Sequence, residues 1–213
     1  MKDLIIVSDF DGTITKKDSL YNFFKSYANA SWLEVEKLWE EGKISSKECL
    51  MREFELVEGL GEDLVNEYIN NVELDLDFIE FNNYRIKQGI KLIIVSDGID
   101  YFIKKILAKY KIENIEIISN HAEFINKKLK LSFPNSNPDC KNASATCKCA
   151  VVSNLKKYYN KIVYLGDGVS DYCVCAKADI LYAKGSLIKY CKANNINHIE
   201  FQNFKDVLRN ITF

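Results

Sequence analysis

Short apolar runs and longer amphipathic stretches alternate along this chain, and their spacing predicts its elements. Leu4–Val7 is too short for a helix and apolar on both faces, the pattern of a buried parallel strand. Ile90–Val95, Ile115–Ile118 and Ile162–Leu165 repeat it, Ile180–Ala183 is a weaker fifth run, and His198 opens a short terminal strand. Helical patterns separate most of these runs. The expected fold is therefore α/β, a doubly wound parallel sheet.

The interval between the first two strands is longer than one crossover helix needs. Leu20, Phe23, Phe24 and Tyr27 recur at helical spacing, as do Trp32, Val35, Leu38 and Trp39. Ser45-Ser46-Lys47-Glu48 has the form of a capping box ahead of Leu50, Met51 and Phe54, and Leu64, Val65, Tyr68 and Ile69 add another stripe. A helix over about Leu76 to Lys87 serves as the crossover. The surplus, residues 17–72, reads as a helical insert over the C-terminal ends of the strands, with 1–16 and 73–213 as the core. Ala122–Phe133 alternates around Asn126-Lys127 as a small hairpin does, Pro134–Thr146 reads as an irregular loop, and Cys173 and Cys175 fall on a predicted helix.

Composition narrows the class. With 213 residues and 47% hydrophobic content the chain can bury a sizeable core, and a net charge of −1 lacks the basic excess of a nucleic-acid binder. No apolar run approaches the length of a membrane span. Four apolar residues followed by Ser8, Asp9 and Asp11 cannot form a signal-peptide core. Seven cysteines, an odd count in a chain too large to need a disulfide framework, fit a reducing cytoplasm. The expectation is a cytoplasmic protein, monomer or homodimer, with no nucleic-acid or membrane partner.

The chemistry sits where the strands end. The first runs into Asp9-Phe10-Asp11-Gly12-Thr13, the second into Ser96-Asp97-Gly98, and the fourth into Gly166-Asp167-Gly168-Val169-Ser170-Asp171. Each segment alone is an ordinary turn. Together they close strands whose carboxyl ends share one crevice. Asp9 and Asp11, two apart on extended backbone, leave on the same side and repel unless a cation or proton joins them. With Asp167 they make a set of hard oxygen ligands that suits Mg²⁺. A carboxylate can also act as a nucleophile toward phosphorus. Free amides of the glycine-rich turns, and a helix starting near Asp100, would hold a phosphate dianion.

These segments resemble the motifs of haloacid-dehalogenase-like phosphatases: Asp9–Thr13 the first, Ser96 the second, Gly166–Asp171 the fourth. The third needs a lysine. Lys148, in Thr146-Cys147-Lys148-Cys149-Ala150-Val151-Val152-Ser153, resembles the Cys-Lys and apolar pair of the phosphoserine-phosphatase-like branch better than Lys156 or Lys157 does. Asn120-His121-Ala122 ahead of a Cys-bearing loop resembles the methionine-salvage 2-hydroxy-3-keto-5-methylthiopentenyl-1-phosphate phosphatase group of that branch. The resemblance runs over nearly the whole chain and implies a Rossmann-like core with the insert as a small cap. It implies that Asp9 attacks phosphorus, that Asp11 protonates the leaving oxygen and then activates water, and that Ser96 and the backbone at Gly98 hold phosphate oxygens. Lys148 would neutralise charge, and Mg²⁺ would sit on Asp9, the Asp11 carbonyl and Asp167, with Asp171 orienting the metal shell. Related caps carry an Arg that meets the substrate, here Arg52, for which a surface salt bridge to Glu48 or Glu55 is the alternative.

The implied partner is a small-molecule phosphate ester. The methylthiopentenyl phosphate is favoured, because Phe23, Phe24, Trp39, Met51 and Phe54 offer the cap an apolar, aromatic inner face. Phosphocholine, phosphoethanolamine and phosphoserine are the alternatives. Asp18, one methylene shorter than the Glu with which phosphoserine phosphatases meet the substrate ammonium, weakens the last. A reading from another class is a receiver-like signalling module that keeps its phospho-Asp. Such receivers lack an insert after the first strand, and Asp11 supplies an acid/base that a long-lived phospho-Asp avoids. Cys140, Cys147 and Cys149, with His121, are open between packed thiols and a zinc site, although Cys-x-Cys is a poor match to zinc spacing.

Overall fold

The computed structural model describes residues 2–140 and 142–211. Among them, strands β1 (Lys2–Ser8), β2 (Lys91–Ile99), β3 (Glu116–Ile125), β4 (Lys128–Ser132), β5 (Tyr159–Gly166), β6 (Ile180–Ala183) and β7 (Ile199–Glu200) form one sheet. Their order is β4-β3-β2-β1-β5-β6-β7, and every neighbouring pair is parallel except β3 with β4. The chain winds outward from β1 through β2 and β3, then returns to the other side of β1 with β5. That reversal opens a crevice at the carboxyl end of β1, as a doubly wound sheet requires.

Nine helices accompany the sheet: α1 (Ser19–Tyr27), α2 (Trp32–Glu40), α3 (Ser46–Glu55), α4 (Glu62–Asn70), α5 (Asp77–Lys87), α6 (Asp100–Lys109), α7 (Lys148–Leu155), α8 (Gly185–Ala193) and α9 (Phe204–Asn210), among the described residues. Strand residues alternate between two cores, as a period of two dictates. Ile6, Ile94 and Val163 pack with Phe78, Phe81, Phe102 and Phe204 from α5, α6 and α9. Ile5, Val7, Ile93 and Ile162 pack on the other face with Val152 of α7 and Leu187 and Cys191 of α8.

Helices α1 to α4 occupy the long interval between β1 and β2. The chain leaves and returns through a paired neck, with Lys16 N–H donating to Glu73 O at 3.0 Å and Asp75 N–H to Ile14 O at 2.9 Å. Phe23 of α1 meets Phe102 of α6 edge-on, centroids 5.4 Å apart, so the core of the insert continues into that of the sheet.

Two elements differ from the sequence reading. The run at Ile115–Ile118 and the first arm of the hairpin are one strand, β3, which is parallel to β2 as far as Asn120 and then antiparallel to β4. Asn126 and Lys127 both take positive φ, 50° and 65°, as a tight two-residue hairpin turn needs. Cys173 and Cys175 lie on no α-helix. Asp171 accepts the Asp167 and Gly168 amides at 2.9 and 3.1 Å, folding this segment into short 3₁₀ turns, Val169–Asp171 and Cys175–Lys177.

Candidate active site

One cavity of about 330 Å³ lies at the carboxyl ends of β1, β2 and β5. Asp9, Asp11, Ser96, Asp97, Gly98 and Asp167 line its sheet side; Asp18, Leu20, Tyr21, Phe24, Glu36, Trp39, Glu40, Ser46, Cys49, Leu50 and Glu53 line its insert side.

Asp9 continues β1 by donating its N–H to Leu165 O at 2.9 Å, which fixes its backbone against β5. Its side chain accepts the Phe10 N–H at 2.7 Å and faces Lys148 Nζ at 2.9 Å. Lys148, the first residue of α7, is 1% exposed and also pairs with Asp171 at 2.7 Å and Ser170 Oγ at 2.8 Å. Three acceptors therefore saturate its three donors. Burial favours a neutral amine, but the Asp171 and Asp9 carboxylates outweigh it and hold the ammonium above its usual range. Asp171 accepts from Lys148, from the Tyr164 hydroxyl at 2.6 Å and from the two amides of its turn.

Asp11 accepts from both the backbone N–H and the hydroxyl of Ser19, at the start of α1. Burial first, then the neighbouring Asp18, pushes its carboxyl up to about 7. Asp167 accepts from Thr13 Oγ1 at 2.8 Å and also rises to about 7, through burial and then the Asp171 charge. Burial raises Asp9 well above the carboxylate range too, with Lys148 opposing. Crowded carboxylates that resist ionisation are what a cation would relieve. Oxygens of Asp9, Asp167 and Asp171 lie within 4.8 Å of one another. Gly12, at φ +71°, leaves room for them: a Cβ there would stand 2.3 Å from Asp167 Oδ2. The donor set fits a hard divalent cation.

Ser96 is 1% exposed, and its Oγ accepts the Gly98 N–H at 3.0 Å. Gly98 allows close approach, since a Cβ there would lie 2.7 Å from Asp11 Oδ2. Between them Asp97 accepts the Ser46 hydroxyl from α3 and the Thr146 N–H at 2.6 Å, while its carbonyl accepts from Asn120 Nδ2 at 2.6 Å.

The structure thus brings Asp9, Asp11, Ser96, Gly98, Lys148, Asp167 and Asp171 together. It does not bring Arg52. That side chain is 46% exposed, pairs with Glu48 one turn back on α3 and is absent from the cavity lining, because it lies on the outward face of the helix. Of the aromatic and apolar residues expected on the inner face, Phe24 and Trp39 line the cavity, Phe23 and Phe54 are core, and Met51 is exposed. Lys156 and Lys157 follow α7, Lys156 pairing with Asp179 at 3.3 Å. His121 Nδ1 meets Asp100 at 2.9 Å, while Cys147 hydrogen-bonds Cys140 and Cys149 hydrogen-bonds Cys173, so the loop thiols divide into pairs. Sequence reasoning missed Ser19, Tyr164 and the acids Glu36 and Glu53, and it gave Thr13 and Asp97 no role although both stand in the strand-end motifs. Tyr164 stands inside an apolar strand run, where only its hydroxyl signalled a polar partner.

Residues 4–184 match the family model described as Putative Phosphatase. A 2-hydroxy-3-keto-5-methylthiopentenyl-1-phosphate phosphatase of Bacillus velezensis is 30% identical over 205 residues, covering 95% of this chain and 87% of the relative. The enzyme of that name from an Exiguobacterium species is 27% identical over 204 residues, covering 95% and 94%. Among solved structures, a phospho-aspartyl intermediate analogue of phosphoserine phosphatase superposes with a TM-score of 0.73 at 18% identity, covering all of both chains. This last likeness speaks for the fold.

Proposed function

Because this chain belongs to the Putative Phosphatase family and is a phosphoric monoester hydrolase of haloacid-dehalogenase-like fold, we propose that it hydrolyses a small phosphate ester through an aspartyl-phosphate on Asp9. The observation that carries the proposal is the buried Asp9–Lys148–Asp171 array opening on a cavity shared with Asp11, Ser96 and Asp167.

Lys148 meets Asp9 Oδ2, and Oδ1, which accepts the Phe10 N–H, keeps a second lone pair to face phosphorus. The Asp11 carboxyl, raised to about 7, is protonated often enough to donate to the leaving oxygen and, once ionised, can take a proton from water. Ser96 Oγ and the Gly98 N–H, which bond each other here, would turn to the phosphate oxygens. Asp9, Asp167 and the Asp11 carbonyl would hold Mg²⁺, which supplies charge neutralisation at the phosphoryl group. Asp171 fixes the Asp167 amide and Lys148. The insert, residues 17–72, acts as the cap that covers the leaving group.

The names of the relatives carry the substrate, 2-hydroxy-3-keto-5-methylthiopentenyl-1-phosphate. Leu20, Phe24, Trp39 and Leu50 offer its methylthio chain an apolar wall. The carboxylates of Asp18, Glu36 and Glu53 on that wall favour a second reading, an ester with an ammonium group such as phosphocholine or phosphoethanolamine.

Phosphate release with Mg²⁺, measured over these esters, ranks the two readings. Asp9→Asn should lose several orders of magnitude in kcat with its circular dichroism unchanged, and rapid quenching of the native protein should find one phosphoryl group on the Asp9 peptide. A variant retaining a substantial part of native turnover would sink the nucleophile assignment.

A further inference from the structure

The insert side of the cavity holds a group of side chains that phosphate transfer does not use. Glu36 of α2 and Cys49 and Glu53 of α3 each offer a ligand atom, and these atoms lie within 4.8 Å of one another. Cys49 Sγ stands 3.8 Å from Glu36 Oε2. Glu53 is 3% exposed, and its Oε1 is the one buried side-chain polar atom without a hydrogen-bond partner among the described residues. A buried oxygen left unpaired costs about 1–3 kcal/mol, so something is expected to meet it. Eight carboxylates line the cavity, and no lysine, arginine or histidine does, among the described residues. Among the described residues, no basic side chain of the cavity supplies a cation to this group of acids.

We propose that Glu36, Cys49 and Glu53 bind a divalent transition-metal ion of the zinc class, with its open coordination facing the cavity. A thiol among two carboxylates selects a borderline metal over Mg²⁺, which takes oxygen alone. Two helices supply the three donors, and the cavity supplies room for a fourth ligand, the arrangement of a site that binds a substrate atom rather than a closed structural one. Binding displaces the proton that the two carboxyls are close enough to share, and the proton of the thiol. It also removes the obstacle to a substrate without an ammonium group. The adjacent hydroxyl and keto oxygens in the substrate named for the relatives form a bidentate pair that would complete the coordination; this consequence, though not the metal site, rests on that substrate reading.

The test uses the full chain saturated with Mg²⁺ and titrates Zn²⁺ by calorimetry and equilibrium dialysis. One Zn²⁺ per chain should bind, and Cys49→Ser, Glu53→Gln and Glu36→Gln should each weaken it by on the order of a hundredfold. Co²⁺ in its place should give a thiolate charge-transfer band that Cys49→Ser removes. No Zn²⁺ site, or a site untouched by all three substitutions, such as one on Cys140 and Cys147, overturns the proposal. Phosphate release with Mg²⁺ alone reports separately on the phosphatase reading. Full activity without zinc binding, with ammonium esters preferred, would give this pocket to the substrate's ammonium and sink the metal site alone.

Discussion

Replacing Lys148 by methionine removes the one cation lodged between two buried carboxylates. Its Nζ is 2.7 Å from Asp171 and 2.9 Å from Asp9, and the three side chains are 1%, 0% and 6% exposed. Stripping one partner from a buried ionic group costs about 3–5 kcal/mol, because the remaining charge has no water to turn to. At about 2–4 °C per kcal/mol for a chain of this size, the melting temperature should fall by roughly 6–20 °C. Asp9, whose carboxyl is already raised by burial with Lys148 opposing, can relieve part of that loss by taking up a proton. Its folded-state pKa would then sit above the unfolded value, so the folded state binds more protons. The deficit should therefore be smallest at low pH and grow as pH rises through the folded pKa. Thermal melts of native and variant protein from about pH 5 to 8 read both effects. Loss of a preorganised charge at the phosphoryl group should also cost about a hundredfold in kcat. Lys156→Ala and Lys157→Ala are the controls, and each should stay within about 0.5 kcal/mol of native stability. A Lys148→Met protein that melts like the native one, or whose deficit ignores pH, would refute the reasoning.

Three further outcomes follow from the geometry. Asp11, raised to about 7, must be protonated to assist the leaving group, so phosphoenzyme formation at saturating Mg²⁺ should fall about tenfold per pH unit above that value; rapid-quench pH profiles check this, and Asp11→Asn should flatten them. Gly12→Ala drives a Cβ to within 2.3 Å of Asp167 Oδ2 at φ +71°, so Mg²⁺ affinity measured by calorimetry should drop and stability should fall by more than about 1 kcal/mol. Arg52→Ala removes only an exposed pair with Glu48, so kcat/KM should stay within about twofold and stability within about 0.5 kcal/mol.

The sheet end of the site was legible because its residues follow directly on strands, and a strand end fixes both position and direction. Asp9, Ser96 and Asp167 needed no tertiary information beyond the parallel order of β1, β2 and β5. Lys148 was legible from its local segment, and its burial between two aspartates explains why a lysine stands at the start of α7. The insert was legible as helices but not as a surface. On α3 the cavity receives Ser46, Cys49, Leu50 and Glu53, spaced three, four and seven apart, while Met51 and Arg52 point away. Leu50, Met51 and Phe54 are the strongest apolar positions of that helix, and they mark where it packs or lies exposed as well as where it meets the cavity. Helical periodicity gives stripes. Which stripe faces a cleft depends on how the helix docks, and here docking is decided by Phe54 against Phe24, centroids 4.9 Å apart, and by Ser46 against Asp97.

That last hydrogen bond ties the two ends of the cavity together. Asp97 stands between Ser96 and Gly98, and its carboxylate accepts from Ser46 in the first turn of α3, the helix that carries Cys49 and Glu53. Thr146 N–H, two residues before Lys148, donates to the other oxygen of Asp97. One carboxylate therefore ties together the turn at Ser96–Gly98, the approach to α7 and the start of α3. Burial pushes its pKa up while the bonds from Ser46 and Thr146 pull it down, so the charged form depends on the insert staying docked. A displacement of α3 would unpair Asp97 in the same motion that moves Glu53 away from the phosphate end. On the proposed function, the insert side of the cavity and the turn at Ser96–Gly98 are thus coupled through Asp97, which lines the cavity between them.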